Sequence, residues 1–108
     1  MDRNQYIEVA TATETRDQAD ALARVLVQSR LAAGAQVIGP IGSAFWHDGE
    51  FGTGEEYRLV LKSRGDRYEA LERGLIEHHP WANPEITATE LLAASEGYRN
   101  WMDKTLAG

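Results

Sequence analysis

Residues 35–63 read AQVIGPIGSAFWHDGEFGTGEEYRLVLKS, and this stretch decides the fold. Gln36-Val37-Ile38 reads as strand, and Ser43-Ala44-Phe45-Trp46 resumes it beyond Gly39-Pro40-Ile41-Gly42. Proline donates nothing to a ladder, so the pattern predicts one long bent strand with a bulge near Gly39-Pro40. Asp48-Gly49 is a hairpin signal, because both residues tolerate the positive φ a tight turn requires. Gly52-Thr53-Gly54 predicts a looser or bulged part of the return. From Glu56 to Ser63, Tyr57, Leu59 and Leu61 alternate with Arg58, Val60 and Lys62, which fits a strand with two unlike faces.

A strand and a helix precede this hairpin, and a helix and a strand follow it. Ile7 and Val9 alternate with Glu8 and Ala10, marking the first strand over Tyr6–Ala12. Thr15 and Gln18 form a capping-box pattern. Behind them Ala19, Leu22, Ala23, Leu26 and Ala33 follow helical spacing, with Gly34 the expected terminator. Asp66, with Glu69 three residues on, is the expected cap of a second helix carrying the stripe Tyr68, Leu71, Leu75, His79 and stopped by Pro80. Residues 84–91 read as a fourth strand. Ser95 then caps a third helix with Tyr98, Trp101, Met102 and Thr105 on one face. The order βαβ–βαβ–α predicts an α+β, ferredoxin-like βαββαβ sandwich with an additional C-terminal helix, a single domain over residues 1–108. Two helices cover one sheet face. The other must be solvated, bind something or meet another chain. The overlong second strand, tipped by Phe45-Trp46, invites pairing with a neighbour.

Composition narrows the function. The 108 residues are 43% hydrophobic and carry 11 Lys+Arg against 17 Asp+Glu, a net charge of −6. That balance argues against nonspecific binding to nucleic acid or an anionic membrane. The order βαββαβ is shared with RNA-recognition modules, but the third strand offers one aromatic and two basic residues, too little for base stacking. With no cysteine, disulfides, thiolate metal sites and thiol nucleophiles are all excluded. No apolar run is long enough for a membrane span, and MDRNQYIEVATATE lacks the pattern of a signal peptide, so the expected location is cytoplasmic. No glycine spacing matches a nucleotide-binding fingerprint.

Several segments together resemble the CutA divalent-cation-tolerance family: Ala10-Thr11-Ala12-Thr13, Arg30-Leu31-Ala32-Ala33, Ser43-Ala44-Phe45-Trp46, the Asp48-Gly49 turn, residues 56–63, His79-Pro80-Trp81-Ala82-Asn83-Pro84-Glu85-Ile86, and Tyr98-Arg99-Asn100-Trp101. The His79–Ile86 stretch is the most specific. The resemblance implies a tight homotrimer of PII-like shape, an association with copper and other divalent-cation tolerance, and no accepted catalytic reaction. The chain departs from the family pattern at Gly34, where cysteine is usual, which weakens any thiolate copper site. Gly39-Pro40 stands for Pro-Gly, Trp46-His47 for two aromatics, and Trp81 for tyrosine.

The site residues expected on these grounds are Trp46, Lys62, His79 and Glu85 for a ligand in an intersubunit cleft, and His79 and His47 for a metal. His79 is read either as a cleft residue or as a histidine bonded at its helix end. His47, Asp48 and Glu50 offer imidazole and carboxylate, suited to zinc or Cu(II), though a polar hairpin tip has the same composition. Lys62 could hold an anion or form a salt bridge with Glu85 or Glu90. Trp46, Trp81 and Trp101 are read first as packing and interface anchors. No cofactor is required on this reading, with a divalent cation (Cu or Zn) the candidate ligand and a second copy of the chain the expected partner. The alternative is a small hydrolase or transferase using the same cleft, with His79 as general acid or base, Lys62 stabilising charge and Glu85 orienting.

Overall fold

The computed structural model describes residues 1–108. The elements in order are β1 (Tyr6–Thr13), α1 (Arg16–Gln28), β2 (Gly34–His47), β3 (Glu50–Arg64), a 3-10 turn (Gly65–Arg67), α2 (Tyr68–His78), β4 (Thr87–Glu90) and α3 (Glu96–Ala107). The four strands form one sheet in the order β2-β3-β1-β4, antiparallel at every pair. This is the ferredoxin-like arrangement that the element order predicts.

The core lies between the sheet and α1 and α2. Ile7 and Val9 of β1, Leu59 and Leu61 of β3, Leu22 and Leu26 of α1, and Leu71 and Leu75 of α2 are all buried in one cluster with Ala32. Alternation along the strands sends Glu8, Ala10, Ala12, Arg58, Val60 and Lys62 to the opposite face. Gly74 brings the helices together: a Cβ there would lie 2.9 Å from Leu26 Cδ2.

The first helix begins as expected. The Thr15 hydroxyl accepts from the Gln18 N–H, and the Gln18 side chain accepts from the Thr15 N–H, closing the capping box. Its end differs from the expectation. The helix stops at Gln28, and Arg30, at φ 61°, takes the left-handed position that Gly34 was expected to fill. The Arg30 and Leu31 N–H groups donate to Val27 and Leu26, the paired bonds that close a helix with a left-handed residue. Gly34 instead opens β2, and Ala33 is buried outside the helix.

Asp66 does not cap α2. Its carboxylate accepts two bonds from the Arg64 guanidinium, at 2.8 and 2.7 Å, and a 3-10 turn leads into the helix instead. A bidentate charged pair outcompetes a single bond to a backbone N–H. The fourth strand is shorter than residues 84–91, because Pro84 lacks a donor and pairing with β1 runs only from Thr87 to Glu90.

The β2–β3 hairpin is long, as expected. Its register shifts between Ile38 and Ile41, at the expected bulge. Asp48 and Gly49 turn it with φ of 49° and 80°, the two positive values of a tight hairpin. The Gly52–Gly54 segment is not loose: Gly54, Thr53 and Gly52 pair in register with Ser43, Ala44 and Phe45. The Phe45 ring fills the space over Gly52, where a Cβ would come within 2.9 Å of it. The hairpin's outer half forms an arm beyond the helices, within a molecule measuring 44 × 25 × 22 Å.

The third helix crosses to the face that α1 and α2 leave open. Its Met102 and Leu106 are buried with Ala33 in a second, separate cluster, against Tyr6 and Leu91. A Cβ on Gly34 would lie 3.2 Å from Trp101 Cη2, which places the indole over the start of β2. The open face is therefore covered at one end by the protein itself.

Candidate functional site

The uncovered part of that face carries charged side chains in cross-strand rows. Glu8 stands opposite Lys62 in the β1–β3 register, and their side chains form an ion pair of 3.0 Å. Arg58 stands opposite Ala12 and reaches Glu85 at 3.3 Å. Lys62 thus pairs with Glu8, correcting the expected pairing with Glu85 or Glu90. Glu8 is its directly opposed neighbour, the closest approach that an antiparallel ladder offers. Glu85 precedes β4 and meets Arg58 instead. Sequence reading put Glu8 and Arg58 on the polar sides of their strands. The β1–β3 register brings Glu8 to Lys62, and the segment before β4 brings Glu85 to Arg58.

His79 is the most enclosed of the expected site residues, at 8% exposure. It ends α2, where its N–H donates to the Leu75 carbonyl. Its imidazole ties three segments together. Nε2 lies 2.8 Å from the Ala12 carbonyl at the end of β1. Nδ1 accepts from the Trp81 N–H at 3.0 Å. A carbonyl only accepts and an N–H only donates, so this is the neutral ring with its proton on Nε2. Burial pushes the imidazole pKa below its ordinary value, and the bond to Ala12 opposes that in part. Both nitrogens are engaged, so an ion or a substrate proton reaches this ring only by displacing a backbone partner. The Trp81 ring packs on it, centroids 5.2 Å apart.

His47, the other histidine considered for a metal, stands apart from His79, at the end of β2 on the hairpin arm. Its Nε2 lies 3.2 Å from the neighbouring Asp48 carboxylate, with both side chains exposed. Glu50 faces it across the ladder. No group of three or more His, Asp or Glu side chains in the protomer is arranged to hold an ion. The two histidines stand on different elements of the protomer, His47 at the end of β2 and His79 at the end of α2.

Trp46 stands beside His47 on the arm and is 74% exposed. Phe51 meets it edge to face, ring centroids 5.8 Å apart. Ile38, Phe45 and Phe51 are also exposed. The protomer thus has an arm of uncovered aromatic side chains at one end and a sheet face of paired charges beside it. Trp46 lies on the first, and Lys62 and Glu85 on the second. His78, next to the buried His79, is exposed and lines a shallow groove of about 270 Å³ between the helices, with Leu22, Val25 and Pro80.

Comparison with known proteins agrees with this architecture. The family described as CutA1 divalent ion tolerance protein matches residues 7–105. A probable divalent-cation tolerance protein cutA homolog from Encephalitozoon cuniculi is 30% identical over 95 residues, 88% of this chain and 82% of its own length. Among solved structures, the divalent ion tolerance protein CutA1 from Ehrlichia chaffeensis superposes with a TM-score of 0.92 at 20% identity, covering 99% of this chain and all of that one. The periplasmic divalent cation tolerance protein CutA from Archaeoglobus fulgidus gives 0.89 at 22% identity, covering 94% and 98%. At these identities the two structures speak for the fold alone. No helix of this protein is long and apolar enough to cross a membrane. With a sequence match that takes in all four strands but for Tyr6 and nearly all of the third helix, the chain belongs to the CutA1 divalent ion tolerance protein family.

Proposed function

We propose that this protein serves divalent-cation tolerance by binding rather than by catalysis, as a cytoplasmic homotrimer that takes a ligand or metal ion in clefts between its subunits. The observation that carries the reading is the family match over residues 7–105. The arm supports the assembly. Phe45, Trp46 and Phe51 are exposed on one hairpin together with Ile38, Phe45 on one face of the ladder and the Trp46–Phe51 pair on the other, and exposed apolar side chains on both faces are stabilised by burial against other chains. Strand β2 is also a sheet edge along its whole length, with unpaired backbone groups facing outward.

In such an assembly Trp46 is an anchor near the cleft, while Lys62 and Glu85 set its charge. His79 shapes the cleft wall through the Trp81 loop. Of the two histidines, His47 is the accessible one for a divalent ion, with the Asp48 carboxylate beside it. The remaining coordination positions there are filled by donors from another subunit or by water. Imidazole and carboxylate favour Cu(II) or Zn(II) over Cu(I). The hydrolase or transferase alternative asks His79 to exchange protons with a substrate, but both of its nitrogens already serve the backbone.

Titration with Cu(II) and with Zn(II), followed by tryptophan fluorescence in the wild type and in Trp46→Phe, tests the binding half. Saturable quenching that is lost in Trp46→Phe and weakened in His47→Ala is expected. No uptake at millimolar metal removes the metal from the proposal.

A further inference from the structure

Helix α1 keeps its side-chain hydrogen bonds within itself and its caps, and α2 reaches other elements only from its two caps, Arg67 and His79. Helix α3 is fastened differently. The Asp103 carboxylate accepts from the Tyr6 hydroxyl of β1 and from Arg64 of β3, each at 2.8 Å. The Thr105 carbonyl accepts from Arg30, in the loop after α1, at 2.8 Å. The Leu106 carbonyl accepts from Arg67, in the turn before α2, at 2.6 Å. The apolar part of the docking is a separate three-residue cluster of Ala33, Met102 and Leu106, not joined to the main core. The connection back to the sheet is Leu92–Ser95, which belongs to no helix or strand and whose Leu92 is 94% exposed. A segment with its own small core, a few polar fastenings that are at most part-buried and a largely exposed connection has what a local unit needs to open without the rest.

We propose that α3 is a releasable strap. It undocks as a unit, pivoting on the segment before Ser95 while the four-stranded sheet stays intact. Undocking lifts Trp101 off Gly34 and uncovers the end of the sheet face where Gly34, Lys62 and Glu8 stand side by side in register. The Asp103 carboxylate is the catch, because it alone receives bonds from two different strands. The strap controls how much of that face is open, and the inference concerns the protomer whether or not subunits assemble.

Hydrogen–deuterium exchange of the full chain, read by mass spectrometry peptide by peptide, tests this with Asp103→Asn and Tyr6→Phe. Loss of a charge-assisted bond is expected to speed exchange in α3 about tenfold in Asp103→Asn, less in Tyr6→Phe, with β1 and β3 peptides unchanged. Tyr6→Phe keeps the apolar packing of the ring and carries the test alone if Asp103→Asn fails to fold. Unchanged α3 exchange in the folded variants overturns the proposal, as does acceleration of α3 and β1 together. Light scattering of the same samples guards the interpretation: a fall in mass would place the loosening at subunit contacts and not in a strap, which also overturns it.

Discussion

Replacing His79 with alanine removes the one side chain that joins the end of β1 to the loop after α2. The loss is of two hydrogen bonds, to the Ala12 carbonyl at 2.8 Å and from the Trp81 N–H at 3.0 Å. Ala12 is buried, so its carbonyl is left without a partner, while the Trp81 N–H is half-buried and regains some water. An orphaned buried group costs about 1–3 kcal/mol. With one such group fully buried and the other partly so, His79→Ala is expected to lose about 2–4 kcal/mol of stability. The amide of His79→Gln can still donate toward Ala12, and that of His79→Asn can still accept from Trp81, so each variant should fall between alanine and wild type. The pH dependence gives a second reading. The folded imidazole has its pKa held below the ordinary 6.5 by burial. Between 6.5 and that lower value the unfolded chain binds a proton that the native chain refuses. His79 therefore contributes stability in full above pH 6.5, and the contribution falls as the solution is acidified, by at most about 1.4 kcal/mol per pH unit. Urea denaturation at one fixed protein concentration, from about pH 7.5 down to about 5.5, measures both effects. A variant within about 0.5 kcal/mol of wild type, with the same pH slope, would refute the reasoning.

Two threonines on the same face of β1 should respond oppositely to valine. The buried Thr11 hydroxyl has no hydrogen-bond partner, so Thr11→Val is expected to be neutral or to stabilise by up to about 1 kcal/mol. The Thr13 hydroxyl donates to the Thr15 carbonyl at 2.8 Å, and Thr13→Val should cost about 1 kcal/mol; thermal melts of the pair check the contrast. On the arm, Trp46→Ala removes a side chain that contacts little within its own protomer. Secondary structure by circular dichroism should be unchanged, while the assembled mass falls on dilution at concentrations where wild type holds, consistent with an interface anchor worth about 2 kcal/mol or more.

The fold was legible because its signals are local and agree with one another. The alternating period of β1 and β3, the capping box at Thr15 and the turn at Asp48-Gly49 each act within a few residues, and they settle the order of elements. The helix ends were less legible. Arginine rarely takes a left-handed backbone, so nothing in residues 28–34 marks Arg30 over Gly34 as the position that closes α1. Asp66 looked like a cap because its competitor, Arg64, lies just past the stretch read as strand and carried no assigned role. The site was less legible still. Lys62 and Glu85 were read as candidates for one salt bridge, but their actual partners, Glu8 and Arg58, depend on which strands and loops lie side by side, which is a long-range property. The Tyr6–Asp103–Arg64 network joins residues 97 positions apart and leaves no trace in local spacing. His79 was singled out by its place at the end of a helical stripe, yet its two bonds could not be foreseen without knowing that β1 ends beside it.

The central claim is that the uncovered arm and sheet edge are interface. Multi-angle light scattering on the wild-type chain at micromolar concentration tests it most directly. A particle of three times the 12.0 kDa chain mass, held on dilution, is expected. A folded particle of 12.0 kDa under the same conditions would contradict it.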